Sequence, residues 1–229
     1  MSLEDTLSEW TKPSSNTEKD KQDRTERMIR EAIAAHSPFD NCSLKVYAKG
    51  SYANNTNVRS DSDVDIAVEC RDVLYWEEAE QGIHTPGEPY KGIWTPAKLR
   101  TELIAALEKK FENQVDTTGT TAIQINSSSA RVDADVVPCF WFRYYMKDGS
   151  RDGTKIFKTD GKSIVNYPAQ QLENGIAKNN QTNYAYKKGA RLLKRTENAM
   201  AADGTFRELP SFFIECLAYN CPNSVFACS

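Results

Sequence analysis

The chain has 229 residues, with 29 Lys and Arg against 32 Asp and Glu, and 39% of its residues are apolar. That length allows one domain, or one domain and part of a second, with enough apolar material for a real core. A net charge of −3 excludes a general nucleic-acid coat protein, though not a local basic site.

Residues 17–36 (TEKDKQDRTERMIREAIAAH) are highly charged with sparse apolar positions and predict a surface helix ending near Ser37-Pro38. LKVYAKG at 44–50 reads as a strand running into glycine, and DVDIAVEC at 63–70 as a second strand. Residues 82–96 hold several Gly and Pro and predict a loop. In 96–114 the apolar positions Leu99, Leu103, Ala106 and Leu107 follow helical spacing, with Pro96 in the first turn. TTAIQIN (120–126) and RVDADVVPCFWF (131–142) predict strands, and KIFKTDGKSIV (155–165) a hairpin around Asp160-Gly161. From 168 onward helices dominate: 182–201 is one, and another begins after Pro210.

This order predicts an α+β fold, a mixed sheet with flanking helices followed by a helical portion. The expected division is a core over 1–160 and a helical portion over 161–229. The end, SFFIECLAYNCPNSVFACS, is apolar and carries no capping tail, which predicts that the helical portion is incomplete. No apolar run reaches membrane-spanning length, and MSLEDTLSEW lacks a signal-peptide pattern, so a cytoplasmic protein without a membrane partner is expected. Cysteines lie at 42, 70, 139, 216, 221 and 228, with none in a Cys-x-x-Cys pair and only two histidines in the chain. Local ligand spacing therefore predicts no zinc site.

The chemistry concentrates in KGSYANNTNVRSDSDVDIAV, residues 49–68. Alternate strand residues share a face, so Asp63 and Asp65 point the same way, as do Asp133 and Asp135 on the later strand. Two carboxylates about 4 Å apart repel by about 4 kcal/mol at an effective dielectric of 20, so a cation should join them. An oxygen-only donor set suits Mg²⁺ rather than zinc. An EF-hand loop counted from Asp61 would need Gly and Glu where Ile66 and Asp72 stand, so that reading fails. Asp61 itself reads as part of the turn before the strand. Gly50-Ser51 adds a backbone that can approach a phosphate closely and a hydroxyl donor.

A Gly-Ser pair, a spacer, Asp-x-Asp and a third Asp on a later strand resemble the DNA polymerase β-like nucleotidyltransferase superfamily. DVVPCF (135–140) is similar to the third-acid strand of cyclic GMP-AMP synthase and oligoadenylate synthetase relatives, which implies Asp135 as the third acid with Asp133 in reserve. Residues 163–195 and LPSFFIECLAYNCPN (209–223) resemble the bacterial cGAS/DncV-like nucleotidyltransferases, and the likeness runs from about residue 44 to the end. That family joins nucleoside triphosphates (ATP, with UTP or GTP) into cyclic di- or trinucleotides that act on a downstream effector in anti-phage defence. It uses two Mg²⁺ ions, with Mn²⁺ as a substitute, and here needs no obligate DNA.

The resemblance implies Asp63, Asp65 and Asp135 as metal-binding catalytic acids. It implies Gly50, Ser51, Lys194 and Ser211 as triphosphate contacts, with Lys187 and Arg191 as weaker ones on the same helix face. It implies Phe212 as a base-stacking ring, against a reading as plain core packing. At Asn166 it places the pocket asparagine that one clade associates with UTP, against a reading as a turn residue before Tyr167-Pro168. Two other readings stay open: a single-transfer nucleotidyltransferase acting on a small molecule or tRNA end, and a nucleotide-binding pseudoenzyme.

Overall fold

The computed structural model describes residues 2–58, 63–205 and 207–227. Its elements in chain order are α1 (Leu3–Trp10), α2 (Asn16–Ala34), β1 (Leu44–Lys49), α3 (Gly50–Ala53), β2 (Val64–Glu78), α4 (Pro96–Phe111), β3 (Val115–Asp116), β4 (Ile123–Ile125), β5 (Ala134–Met146), β6 (Gly149–Phe157), β7 (Ser163–Asn166), α5 (Pro168–Gln181), α6 (Ala185–Ala202) and α7 (Ser211–Asn220). The fold is α+β, as the element order predicts.

The chain divides into two compact units. The first gathers residues 1–19, 49–62 and 170–229, and the second residues 20–48 and 63–169.

The second unit holds the sheet. Its strands run in the order β1-β2-β5-β4-β3, and β6 and β7 extend it from β5. β2 and β5 are parallel, while β4–β5, β5–β6 and β6–β7 are antiparallel. The β6–β7 hairpin turns at Asp160-Gly161 as its sequence predicts, with Gly161 at φ 84° in the left-handed region.

Alternation along β2 and β5 separates two environments. Val64, Ile66 and Val68 with Ala134 and Val136 are buried, as are Ile29 and Ile33 of α2 and Leu99, Leu103 and Leu107 of α4. α4 starts where Thr95 caps it, its side chain accepting the Lys98 N–H, with Pro96 at the first helical position. Thr25 of α2 accepts the Val132 N–H at 3.1 Å, fixing the entry to β5. On the other alternation, Ala67, Val137, Cys139 and Ile156 form a smaller apolar cluster.

β2 is longer than the eight residues its apolar run suggests, because it continues past an irregularity. Register with β5 breaks after Cys70–Phe140 and resumes at Leu74–Trp141. The aromatic-rich second half, LYWEE, then pairs in register as far as Glu78–Tyr145.

In the first unit α6 starts at Ala185, later than its amphipathic pattern suggests, because Asn183 (φ 50°) and Tyr184 (φ 65°) take left-handed conformations before it. Tyr186, Ala190 and Ala218 form its apolar core, with Phe226 packed against them. Phe212, Phe213, Leu217 and Val225 are exposed. Among the described residues no helix is long and apolar enough to cross a membrane.

Candidate active site

The acids meet through strand register. Asp65 of β2 and Asp135 of β5 are directly paired residues on adjacent parallel strands. Paired residues present their side chains on one face, about 4.8 Å apart in the pairing direction. Asp63 precedes β2 by one residue and shares that face by alternation. It is exposed, whereas Asp65 and Asp135 are half-buried. Apolar residues Ala67 and Val137 follow on the same face and back the acids with a dry floor. Asp61, read from sequence as part of the preceding turn, lies outside the described residues.

Asp133 occupies the next position toward the N-terminus of β5, but it is committed locally. Its Oδ1 accepts the Ser127 N–H, and its carbonyl accepts the Val64 N–H at 3.0 Å. A carboxylate holding a loop amide has fewer lone pairs to offer a cation.

Asn166 is the last residue of β7, paired with Thr154 of β6, which in turn pairs with Trp141 of β5. Trp141 lies six residues beyond Asp135, or about 20 Å along the strand at about 3.4 Å per residue. Asn166 is therefore no ligand to a cation held by the acids. It is half-buried inside a strand rather than in a turn, and among the described residues its amide makes no hydrogen bond. Its carbonyl lies close over Gly153, where an added Cβ would come within 2.6 Å.

The expected phosphate contacts fall in the first unit. Gly50 opens α3 with φ 69°, a conformation that side chains disfavour, and this is the physical reason for glycine there. Ser51 is half-buried in α3, and its carbonyl accepts the Thr56 N–H at 2.9 Å. Ser211 opens α7 and is exposed, as is Phe212 at 58%.

Lys194 departs from expectation. Neither a solvated stripe nor an open phosphate ligand describes it: its side chain is 2% exposed and pairs with Glu215 Oε2 at 2.9 Å. Its ammonium also donates to the Thr56 carbonyl at 3.2 Å. Glu215 in turn accepts from Asn54 and from the Thr56 hydroxyl. Burial pushes the Glu215 carboxyl up, but Lys194 and these hydrogen bonds outweigh it and hold the group below its ordinary value. Glu215 stands four residues after Ser211 on the same face of α7, so this cluster orients the helix turn that presents Ser211.

Arg191 is likewise buried, donating to the Asn55 carbonyl at 2.6 Å and to the Thr11 carbonyl at 2.8 Å. Lys187, two turns before Lys194, is only half-buried, and burial holds its ammonium below the ordinary value. The basic pattern of α6 was visible in sequence. Its internal partner Glu215 was not, because an apolar run, SFFIECLAY, surrounds that lone acid.

Comparison with known proteins follows this geometry. Residues 173–229 match the model of the cGAS/DncV-like nucleotidyltransferase C-terminal helical domain. The cyclic dipyrimidine nucleotide synthase CdnE of Cecembia lonarensis is 37% identical over 232 residues, covering 97% of this chain and 76% of the relative. A cyclic dipurine nucleotide synthase of Elizabethkingia meningoseptica is 35% identical, covering 97% of this chain and 78% of the relative. The solved structure of the Rhodothermus marinus CdnE c-UMP-AMP synthase with Apcpp and Upnpp superposes with a TM-score of 0.84 at 29% identity, covering 98% of this chain and 77% of that one. With its acids set in register on parallel strands and these relatives across nearly all of its length, the chain belongs to the cGAS/DncV-like nucleotidyltransferase family.

Proposed function

We propose that the protein is a Mg²⁺-dependent nucleotidyltransferase that joins nucleoside triphosphates into a cyclic di- or trinucleotide, with a uridine-containing product such as cyclic UMP-AMP as the finer reading. The observation that carries this reading is the in-register pairing of Asp65 with Asp135, with Asp63 on the same face. The donor set is oxygen-only and fits Mg²⁺, which would be held by Asp63, Asp65 and Asp135. When bound, the ions would neutralise charge on the attacking and leaving oxygens of an in-line displacement at an α-phosphate.

The protein's own residues have separate tasks. Asp135, half-buried and paired with Asp65, accepts the proton of the attacking ribose hydroxyl. Gly50, Ser51 and Ser211 offer backbone and hydroxyl donors to the phosphates, and pyrophosphate leaves. Lys194 acts as a positioning residue for Ser211 through Glu215. Phe212 offers an exposed ring face to a base.

The products named for the relatives range over dipyrimidine, dipurine and UMP-AMP, so family membership leaves the bases open. Asn166 favours uridine: its uncommitted amide offers a donor and an acceptor matching the N3–H and O4 edge of uracil. A site that pairs those groups rejects a base that leaves them unpaired. We take residues 1–160 as the catalytic portion and 161–229 as the helical portion, in a cytoplasmic enzyme of anti-phage signalling whose product acts on a downstream effector.

The test is to incubate the protein with radiolabelled ATP, UTP, GTP and CTP and Mg²⁺, then treat with phosphatase. A resistant product labelled from UTP supports the reading. A phosphatase-sensitive linear product, or label transferred to an added small molecule or tRNA, supports single transfer instead.

A further inference from the structure

Two thiols far apart in sequence lie together in the second unit. Cys42 and Cys70 are 28 residues apart, yet their sulfurs approach to 3.7 Å. An Asp72 carboxylate oxygen joins them, and the three donor atoms all lie within 4.8 Å of one another. Neither cysteine is in a disulfide.

The break in β2 builds this cluster. Arg71, Asp72 and Val73 have no partners on β5, because register passes from Cys70–Phe140 directly to Leu74–Trp141. Such a bulge re-aims a side chain, here bringing Asp72 beside Cys70. The segment after Cys42 is clipped to the bulge from both sides. The Arg71 N–H donates to the Ser43 carbonyl at 2.8 Å, and the Ser43 N–H donates to the Asp72 carboxylate at 3.3 Å. A backbone donor that fixes a carboxylate in this way is what metal-ligating carboxylates use in their outer shell.

We propose that Cys42, Cys70 and Asp72 bind a thiophilic divalent cation, represented by Zn²⁺. The geometry matches: a tetrahedral ion with Zn–S bonds of about 2.3 Å separates two sulfurs by about 3.8 Å. Two sulfurs and one oxygen supply three ligands. Asp72 also lines an open cleft of about 650 Å³ with Ser37, Asn41 and Trp94, which gives the fourth position access to water.

A disulfide is the competing fate of two close thiols. It requires an S–S bond of about 2.05 Å and has no use for a carboxylate aimed at the pair. Spacing rules along the chain predict no zinc site because these ligands come from a turn and a strand bulge, and no local motif encodes that pairing.

The test uses the reduced protein and Co²⁺ as a spectroscopic probe, with Zn²⁺ as competitor. Wild type should take up one equivalent, with thiolate-to-metal charge transfer in the near ultraviolet and tetrahedral bands in the visible. Zn²⁺ should bleach both. Cys42→Ser should lose the charge-transfer band while keeping a cooperative melt. Asp72→Asn should keep that band but bind at least tenfold more weakly. Zn²⁺ should raise the melting temperature of wild type and leave that of Cys42→Ser unchanged. Absence of the band, or its survival in Cys42→Ser, would overturn the proposal. So would an air-purified protein in which Cys42 and Cys70 are joined by a disulfide while the reduced form takes up no metal. Cys70 is fully buried, so Cys42→Ser and Asp72→Asn decide the matter if Cys70→Ser fails to fold.

Discussion

Replacing Lys194 by methionine keeps most of the side chain's volume and removes its charge. The Lys194 and Glu215 side chains are 2% and 5% exposed. Deleting one partner of a buried pair leaves an uncompensated charge and costs about 3–5 kcal/mol. Against a typical total stability of about 5–15 kcal/mol, that is a large fraction. Urea denaturation at pH 7 should therefore show a much lower midpoint for Lys194→Met.

The cost should depend on pH, with a defined sign. In wild type the folded Glu215 carboxyl lies below its unfolded value. Its contribution is present above the unfolded value, near pH 4.5, and is lost as pH falls through the folded value. Without Lys194 the largest remaining influence is burial, which pushes the folded value up. The penalty in Lys194→Met is then full at neutral pH and shrinks as pH falls toward the unfolded value. Adding Glu215→Gln should restore much of the lost stability, because replacing both partners removes the stranded charge. Lys194→Met with an unchanged urea midpoint and at least tenfold weaker binding of a non-hydrolysable NTP would refute this reasoning. It would show that the lysine faces a triphosphate directly.

Three further outcomes follow from single positions. Gly50→Ala should lose about 1–2 kcal/mol in urea denaturation, because φ 69° strains an L side chain, and should raise KM for NTP as the Gly50-Ser51 backbone shifts. Gly175→Ala should destabilise by about 1–3 kcal/mol, since its Cβ would come within 2.4 Å of the Asn54 amide that donates to Glu215; a melting curve unchanged from wild type would contradict the packing described. Asn166→Ser should leave overall fold and metal dependence intact while lowering UMP incorporation relative to the other nucleotides, and an unchanged base preference in competition assays would count against the pocket role.

The fold was legible where period and punctuation agreed. The apolar spacing of 99, 103, 106 and 107 with Pro96 marked α4, and Asp160-Gly161 marked the β6–β7 turn. The bulge at Arg71–Val73 leaves no such mark, so the apolar run predicts an end at Cys70 although the second half of β2 pairs with β5. The acids were readable because an alternating Asp-x-Asp needs only strand period two. That Asp65 meets Asp135 is a property of parallel register, and sequence offers no turn to set that register between strands so far apart. The partners of Lys194 were hidden for the same reason: charge pattern on α6 is local, whereas Glu215, Asn54 and Thr56 come together with it only through folding.

The most direct measurement compares Asp135→Asn with Asp133→Asn in Mg²⁺-dependent formation of phosphatase-resistant product. Asp135 faces Asp65 in register, and Asp133 holds the Ser127 amide. Loss of a metal-binding acid should cost about 3–5 kcal/mol of transition-state stabilisation, or about two to four decades in rate. The account predicts that loss for Asp135→Asn, with both variants folded by circular dichroism and Asp133→Asn within about tenfold of wild type. Near-normal turnover in Asp135→Asn beside an inactive, folded Asp133→Asn would contradict it.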